Sequence, residues 1–187
     1  MIAPSVVSQL LSGNVAAPSR ANPPLKAGYY AWWCRRIALM DATPSIPYEG
    51  RAPISAEWSL LYVGISPVSP SSAASGRTVA TRIDKDHRNG NIGGSTFRQS
   101  IASLLLQKLS LKPRAGGDRS RLEDEAPLSK WLEASCGLTF AVSEKPWQWE
   151  AEVIRLLNPP LNIDNGAHPF RLEVKEQRSA LRRACGL

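Results

Sequence analysis

Glu150 is a carboxylate on the wrong side of its segment. Within Trp147-Gln148-Trp149-Glu150-Ala151-Glu152-Val153-Ile154-Arg155-Leu156-Leu157, a helical step of about 100° per residue gathers Trp149, Val153, Ile154, Leu156 and Leu157 into one apolar arc. Glu150 falls near the middle of that arc, Glu152 lies towards its edge, and Arg155 points away. A carboxylate on a packed face is costly unless it pairs with a cation or ligates a metal. Two chemistries therefore compete: an ion pair with arginine, the commoner fate of such a glutamate, or the holding of a divalent cation over a cleft. Cys34, Cys136 and Cys185 are odd in number and lack CxxC spacing. That argues against a zinc site and a disulfide framework, and makes a reducing cytoplasm the expected setting.

The rest of the 187-residue chain has to position that carboxylate. Its net charge is +7 and its pI about 9.7, a balance that favours polyanions, nucleic acid first, because phosphate contacts release condensed counterions. No apolar run reaches the length of a membrane span, and the first twenty residues lack the basic-then-apolar order of a secretory signal. They read as a loose or weakly helical arm.

The aromatic segment 27–39 follows Pro23-Pro24 and reads as a strand, as does Trp58 to Val63 before Gly64. The stretch 41–57, with Pro44, Pro47, Gly50 and Pro53, reads as a loop, and 67–76 as an exposed Pro/Ser/Gly linker. Thr78 to about His87 predicts a short helix. Thr96 to Leu109 predicts a longer one, its stripe being Phe97, Ile101, Leu104, Leu105 and Leu109. A basic loop at 112–121, a helix from the acidic 123–125 run to Gly137, a strand at 138–142, the Glu150 helix opened by Pro146 and stopped by Pro159-Pro160, and a charged terminal helix complete the order. This order predicts an α+β fold: a small mixed or antiparallel three-stranded sheet flanked by helices. The expected organisation is an arm at 1–26, a domain at 27–170 and a terminal helix at 171–187.

Several short motifs share this order. Gly28-Tyr29-Tyr30 and Tyr62-Val63-Gly64 lie on the first two strands, Arg82 and His87 on the helix after them, and Gly94 to Ser100 opens the next helix. Glu150 and Pro159-Pro160-Leu161-Asn162 close the series. Together they resemble the GIY-YIG nuclease family over roughly residues 27–170, and the Glu150-to-Asn162 separation resembles its repair-nuclease branch. The resemblance singles out Glu150 over Glu152, in agreement with the helical face. Tyr29 replaces the usual isoleucine, the loop between the tripeptides is long, and Arg82 and His87 are five apart rather than the four of the phage homing enzymes.

The resemblance implies a metal-dependent endonuclease acting on DNA with Mg²⁺ or Mn²⁺. Glu150 would be its metal ligand and Tyr30, Tyr62, Arg82, His87, Glu150 and Asn162 its catalytic set. One glutamate with retained waters suits Mg²⁺, and Arg82 offers a planar fork for phosphate oxygens. Tyr30 or Tyr62 would deprotonate or orient the attacking water, His87 would relay its proton, and Asn162 would fix local geometry. Arg98 is a DNA-binding candidate or the partner of an acid, and the 41–57 insertion and the 112–121 loop are candidates for further contacts. Against these stand plainer roles. Tyr30 and Tyr62 are then packed sheet tyrosines, Arg82 a surface arginine, His87 a helix end and Asn162 a turn cap. The tryptophans read as core. The rival function is a non-catalytic, basic nucleic-acid-binding module of the same fold.

Overall fold

The computed structural model of the protein describes residues 3–40, 42, 46–47 and 55–187. Most of the 41–57 loop, with its expected DNA contacts, lies outside them. The elements in order are α1 (Ala3–Ser12), β1 (Gly28–Arg35), α2 (Arg36–Met40), β2 (Trp58–Ser66), α3 (Pro70–Ala74) and α4 (Val79–Arg82), which runs into a π-turn (Ile83–Arg88). Then come α5 (Thr96–Leu104), α6 (Ala126–Ser135), β3 (Cys136–Val142), a 3₁₀ turn (Pro146–Gln148), α7 (Glu150–Leu157) and α8 (Arg171–Ala184). The sheet has the order β2-β1-β3 with both pairings antiparallel, and the fold is α+β.

β1 is central and covered on both faces, which is why it reads as a continuous aromatic run and is buried from Gly28 to Cys34. Tyr30, Trp32 and Cys34 face a core built with Val79, Ile83 and Phe97. Tyr29, Ala31 and Trp33 face a second core with Val153, Ile154 and Leu157 of α7. The β1–β2 register slips between Trp32 and Trp33, so that Trp32 opposes Tyr62 and Trp33 opposes Leu60. The extra residue, Leu61, forms a bulge, and both Leu61 and Tyr62 pack with the Tyr30-side core.

Several boundaries differ from the sequence expectation. The N-terminal segment read as loose is a packed helix, because Ala3, Val6 and Leu10 recur at helical spacing and close the second core. β1 ends at Arg35, where the chain turns into α2 and Arg36 N donates to Glu57 O at 2.9 Å. The 67–76 linker contains α3, capped by Ser69. α5 stops at Leu104, after which turns carry the chain to bury Leu111. Trp149 lies ahead of α7, not within its arc, and is 38% exposed, whereas Trp32 and Trp33 are fully buried as core.

Candidate active site

The two tripeptides meet across the sheet. Tyr30 opposes Gly64 in the β1–β2 ladder, and its ring lies over that glycine. A Cβ at Gly64 would overlap the Tyr30 hydroxyl and ring carbons, so a glycine here admits the phenol. Tyr62, two residues earlier on the same strand, tilts against Tyr30 with ring centroids 6.4 Å apart.

Arg82 and His87 converge on the Tyr30 hydroxyl. Arg82 Nε donates to it at 3.5 Å and His87 Nε2 lies 2.8 Å away. On a regular helix, residues five apart diverge by about 140°. The π-turn widens the coil by one residue, so that the five-residue step still leaves both side chains facing Tyr30. Asp86 fixes the arginine, accepting from Arg82 Nη1 at 2.6 Å and from Arg77 Nη2 at 2.7 Å. On the far side of His87, Nδ1 lies 2.7 Å from Ser95 Oγ, the cap of α5.

The charges follow from this packing. Burial raises the Tyr30 pKa far above the ordinary tyrosine value, Tyr62 adds to the rise, and Arg82 opposes it. Burial raises Tyr62 as well, against a hydrogen bond from Thr96. His87 is held well below its usual range by burial and by the positive charges of Arg82 and Arg98. Burial works against the Arg82 charge, but Tyr30 and Asp86 outweigh it and raise its pKa.

Glu150 opens α7 and reaches the same region past the free edge of β2. It lines a cleft of about 100 Å³ with Tyr62, Thr96, Asn162, Asp164 and Arg178. Its carboxyl is raised by burial first and by the neighbouring Asp164 second. The 3₁₀ turn before it is tied to β1, because the Tyr29 hydroxyl donates to Pro146 O. Burial pushes Tyr29 up to about 12, so it stays a donor. The residue that departs from the usual isoleucine thus anchors the approach to Glu150.

Asn162 is placed beside the cleft, but its amide is turned to the strand. Nδ2 donates to Val63 O at 2.8 Å and Oδ1 accepts from Val63 N at 2.9 Å. Leu161 N donates to Leu61 O at 3.0 Å, so this segment is tied to β2 by one backbone hydrogen bond and by the Asn162 amide. Arg98 does not line the cleft. It is fully buried, donating through Nη1 to His87 O at 2.8 Å and through Nη2 to Glu125 at 2.7 Å and Ser129 at 3.0 Å. Of its two expected roles it takes the acid pair, and no face of it is presented to an external phosphate.

Four residues that shape this site had no role of their own in the sequence reading: Ser95 and Thr96, which entered only within the Gly94 to Ser100 motif, and Asp164 and Arg178, which did not enter at all. Arg178 carried the same signal as Glu150, a charge on an apolar stripe between Val174 and Leu181 of α8, and it donates through Nε to Gln99 Oε1 at 2.9 Å. Asp164 had no signal beyond its place two residues after Asn162.

Among the described residues, no three His, Cys, Asp or Glu side chains gather into a metal cage. No helix among them is long and apolar enough to cross a membrane. Glu150 has no hydrogen-bond or ion-pair partner among the described residues, and with Asp164 it makes a hard-oxygen donor set that fits a divalent cation retaining most of its water. The family model described as the GIY-YIG catalytic domain matches residues 28–184. No curated protein and no solved structure gives a match.

Proposed function

Because the chain belongs to the GIY-YIG catalytic-domain family, a family of endonucleases that act on DNA and generally use divalent metal ions, we propose that it hydrolyses DNA phosphodiester bonds with Mg²⁺ or Mn²⁺ held at Glu150. The observation that carries this reading is the Glu150 carboxylate, without a hydrogen-bond or ion-pair partner among the described residues, in the cleft that Tyr62 and Asp164 also line. The cation, when bound, stabilises charge on the phosphate and the departing oxygen.

The chain's own groups supply the rest. Arg82, part-exposed and already oriented by Asp86, contacts a phosphate oxygen. A tyrosine of the Tyr30–Tyr62 pair takes the proton of the attacking water. An ordinary tyrosine, with a pKa of about 10, is almost wholly protonated at neutral pH, and burial raises both phenols further, so the positive charge of Arg82, which opposes that rise, is part of the device. Asn162 acts through the backbone, holding β2 and the Asp164 loop in register.

Plasmid nicking tests the reading. Wild-type protein with Mg²⁺ converts supercoiled DNA to open circles, EDTA stops it, and Glu150→Ala lowers the rate by about 100-fold or more while DNA binding persists. Tight DNA binding with no cleavage under any divalent metal would instead establish a non-catalytic binding module. A Glu150→Ala protein that cuts like wild type would remove the metal assignment.

A further inference from the structure

His87 is gripped by a hydroxyl at each ring nitrogen, Ser95 Oγ at Nδ1 and Tyr30 Oη at Nε2. Its burial between two arginines keeps the ring neutral, so one nitrogen carries a proton and the other a lone pair. The neighbours decide which. Ser95 Oγ already accepts from Arg98 N at 3.1 Å, and Tyr30 Oη already accepts from Arg82 Nε at 3.5 Å.

If Nδ1 carried the proton, it would donate to Ser95. The Ser95 hydroxyl hydrogen would then have no acceptor among the described residues, at a side chain that is 1% exposed. A buried orphan donor is the costly arrangement. In the opposite assignment Ser95 donates to Nδ1, Nε2–H donates to Tyr30, and the leftover hydrogen is that of Tyr30. That hydroxyl feels Tyr62, Arg82 and Glu150, and Tyr62 and Glu150 line the cleft.

We propose that Ser95 is a positioning residue that fixes His87 as its Nε2–H tautomer, making His87 and Arg82 a two-donor seat for the Tyr30 phenolate. The role rests on the nuclease reading and makes it more specific. Tyr30, not Tyr62, activates the water, because Arg82 and His87 both reach the Tyr30 oxygen directly, whereas among the described residues the Tyr62 hydroxyl hydrogen-bonds to the neutral Thr96 hydroxyl at 3.2 Å and feels Arg82 and Arg178 through space. His87 is a donor, not a proton relay. The phenol proton leaves to solvent. The phenolate then takes a proton from water as its oxygen bonds to phosphorus, the bond from phosphorus to the leaving sugar oxygen breaks, and that oxygen is protonated from solvent.

The chain has two histidines, His87 and His168, so full-length protein labelled with ¹⁵N-histidine gives a simple long-range ¹H–¹⁵N spectrum. His168→Gln assigns it. The expected wild-type spectrum shows His87 protonated at Nε2 and bare at Nδ1, and Ser95→Thr keeps that pattern. Ser95→Asp keeps a helix cap but can only accept, so it moves the proton to Nδ1 and lowers kcat by about 100-fold with little change in KM. A wild-type ring protonated at Nδ1 overturns the proposal, as does a folded Ser95→Asp protein with an unchanged ring. If Ser95→Asp does not fold, the wild-type and Ser95→Thr spectra still decide. A wild-type protein that cuts no DNA removes the nuclease reading and leaves the ring assignment to be judged on its spectrum.

Discussion

Replacing Glu150 by glutamine removes a part-buried charge that burial and Asp164 both disfavour. Its folded pKa lies above its unfolded value, so the unfolded chain releases that proton at lower pH and stability falls as pH rises between the two. Without metal, Glu150→Gln is therefore expected to melt about 1–3 °C higher than wild type. With millimolar Mg²⁺ the wild type gains by linkage and the variant does not, and calorimetry in both buffers reads the reversal. His87 has the opposite sign. Its folded pKa is depressed, so it contributes stability above the unfolded value of about 6.5, and this is lost as the pH falls below it. Melting temperatures measured from pH 7.5 to 5 should decline, and His87→Gln, though less stable, should show a shallower decline.

Among the elements, the π-turn bears the spacing of the site. Inserting an alanine after the exposed Lys85 moves His87 off both Tyr30 and Ser95, and should lower kcat by about 100-fold. Deleting Lys85 gives a four-residue step on a regular helix, which keeps Arg82 and the histidine on one face, and should lower kcat by less than about tenfold. Steady-state cleavage of one plasmid by the two variants separates these outcomes. The five-residue step was visible in the chain, whereas the helix type that reconciles it was not, because it arises from packing Ile83 and His87 under β1 at the same time. The strands and α7 were legible for a simpler reason: Gly28 to Cys34 and Val153 to Leu157 carry their periodicity and stop signals locally. The choice for Arg98 between a phosphate and an acid was not legible, because Glu125, 27 residues further on, makes it. The packing of α1 was hidden because its stripe has meaning only once β1 and α7 form its seat.

For the whole molecule the net charge of +7 acts through salt. The 112–121 loop leaves Lys112, Arg114 and Arg119 exposed, while Arg121 is committed to Asn91. If this loop lies against the phosphate backbone, each engaged charge adds about 0.9 to the slope of log affinity against log salt. A Lys112→Gln/Arg114→Gln protein should therefore flatten that slope by about 1.8, read by fluorescence anisotropy between 50 and 200 mM salt. Its kcat should stay near the wild-type value, because both residues lie outside the cleft lined by Glu150 and Tyr62.

α1 and α7 form one wall of the second core, although more than a hundred residues separate them. A ribosome makes the first long before the second. Val6 and Leu10 must wait, unsheltered, until β1 has paired and Glu150 to Leu157 have left the exit tunnel. The helix that bears the site carboxylate cannot be seated earlier, and such late, distant closure is slow. The growing polypeptide therefore passes through synthesis with the Glu150 cleft unassembled, and the closure that completes the fold also completes that cleft.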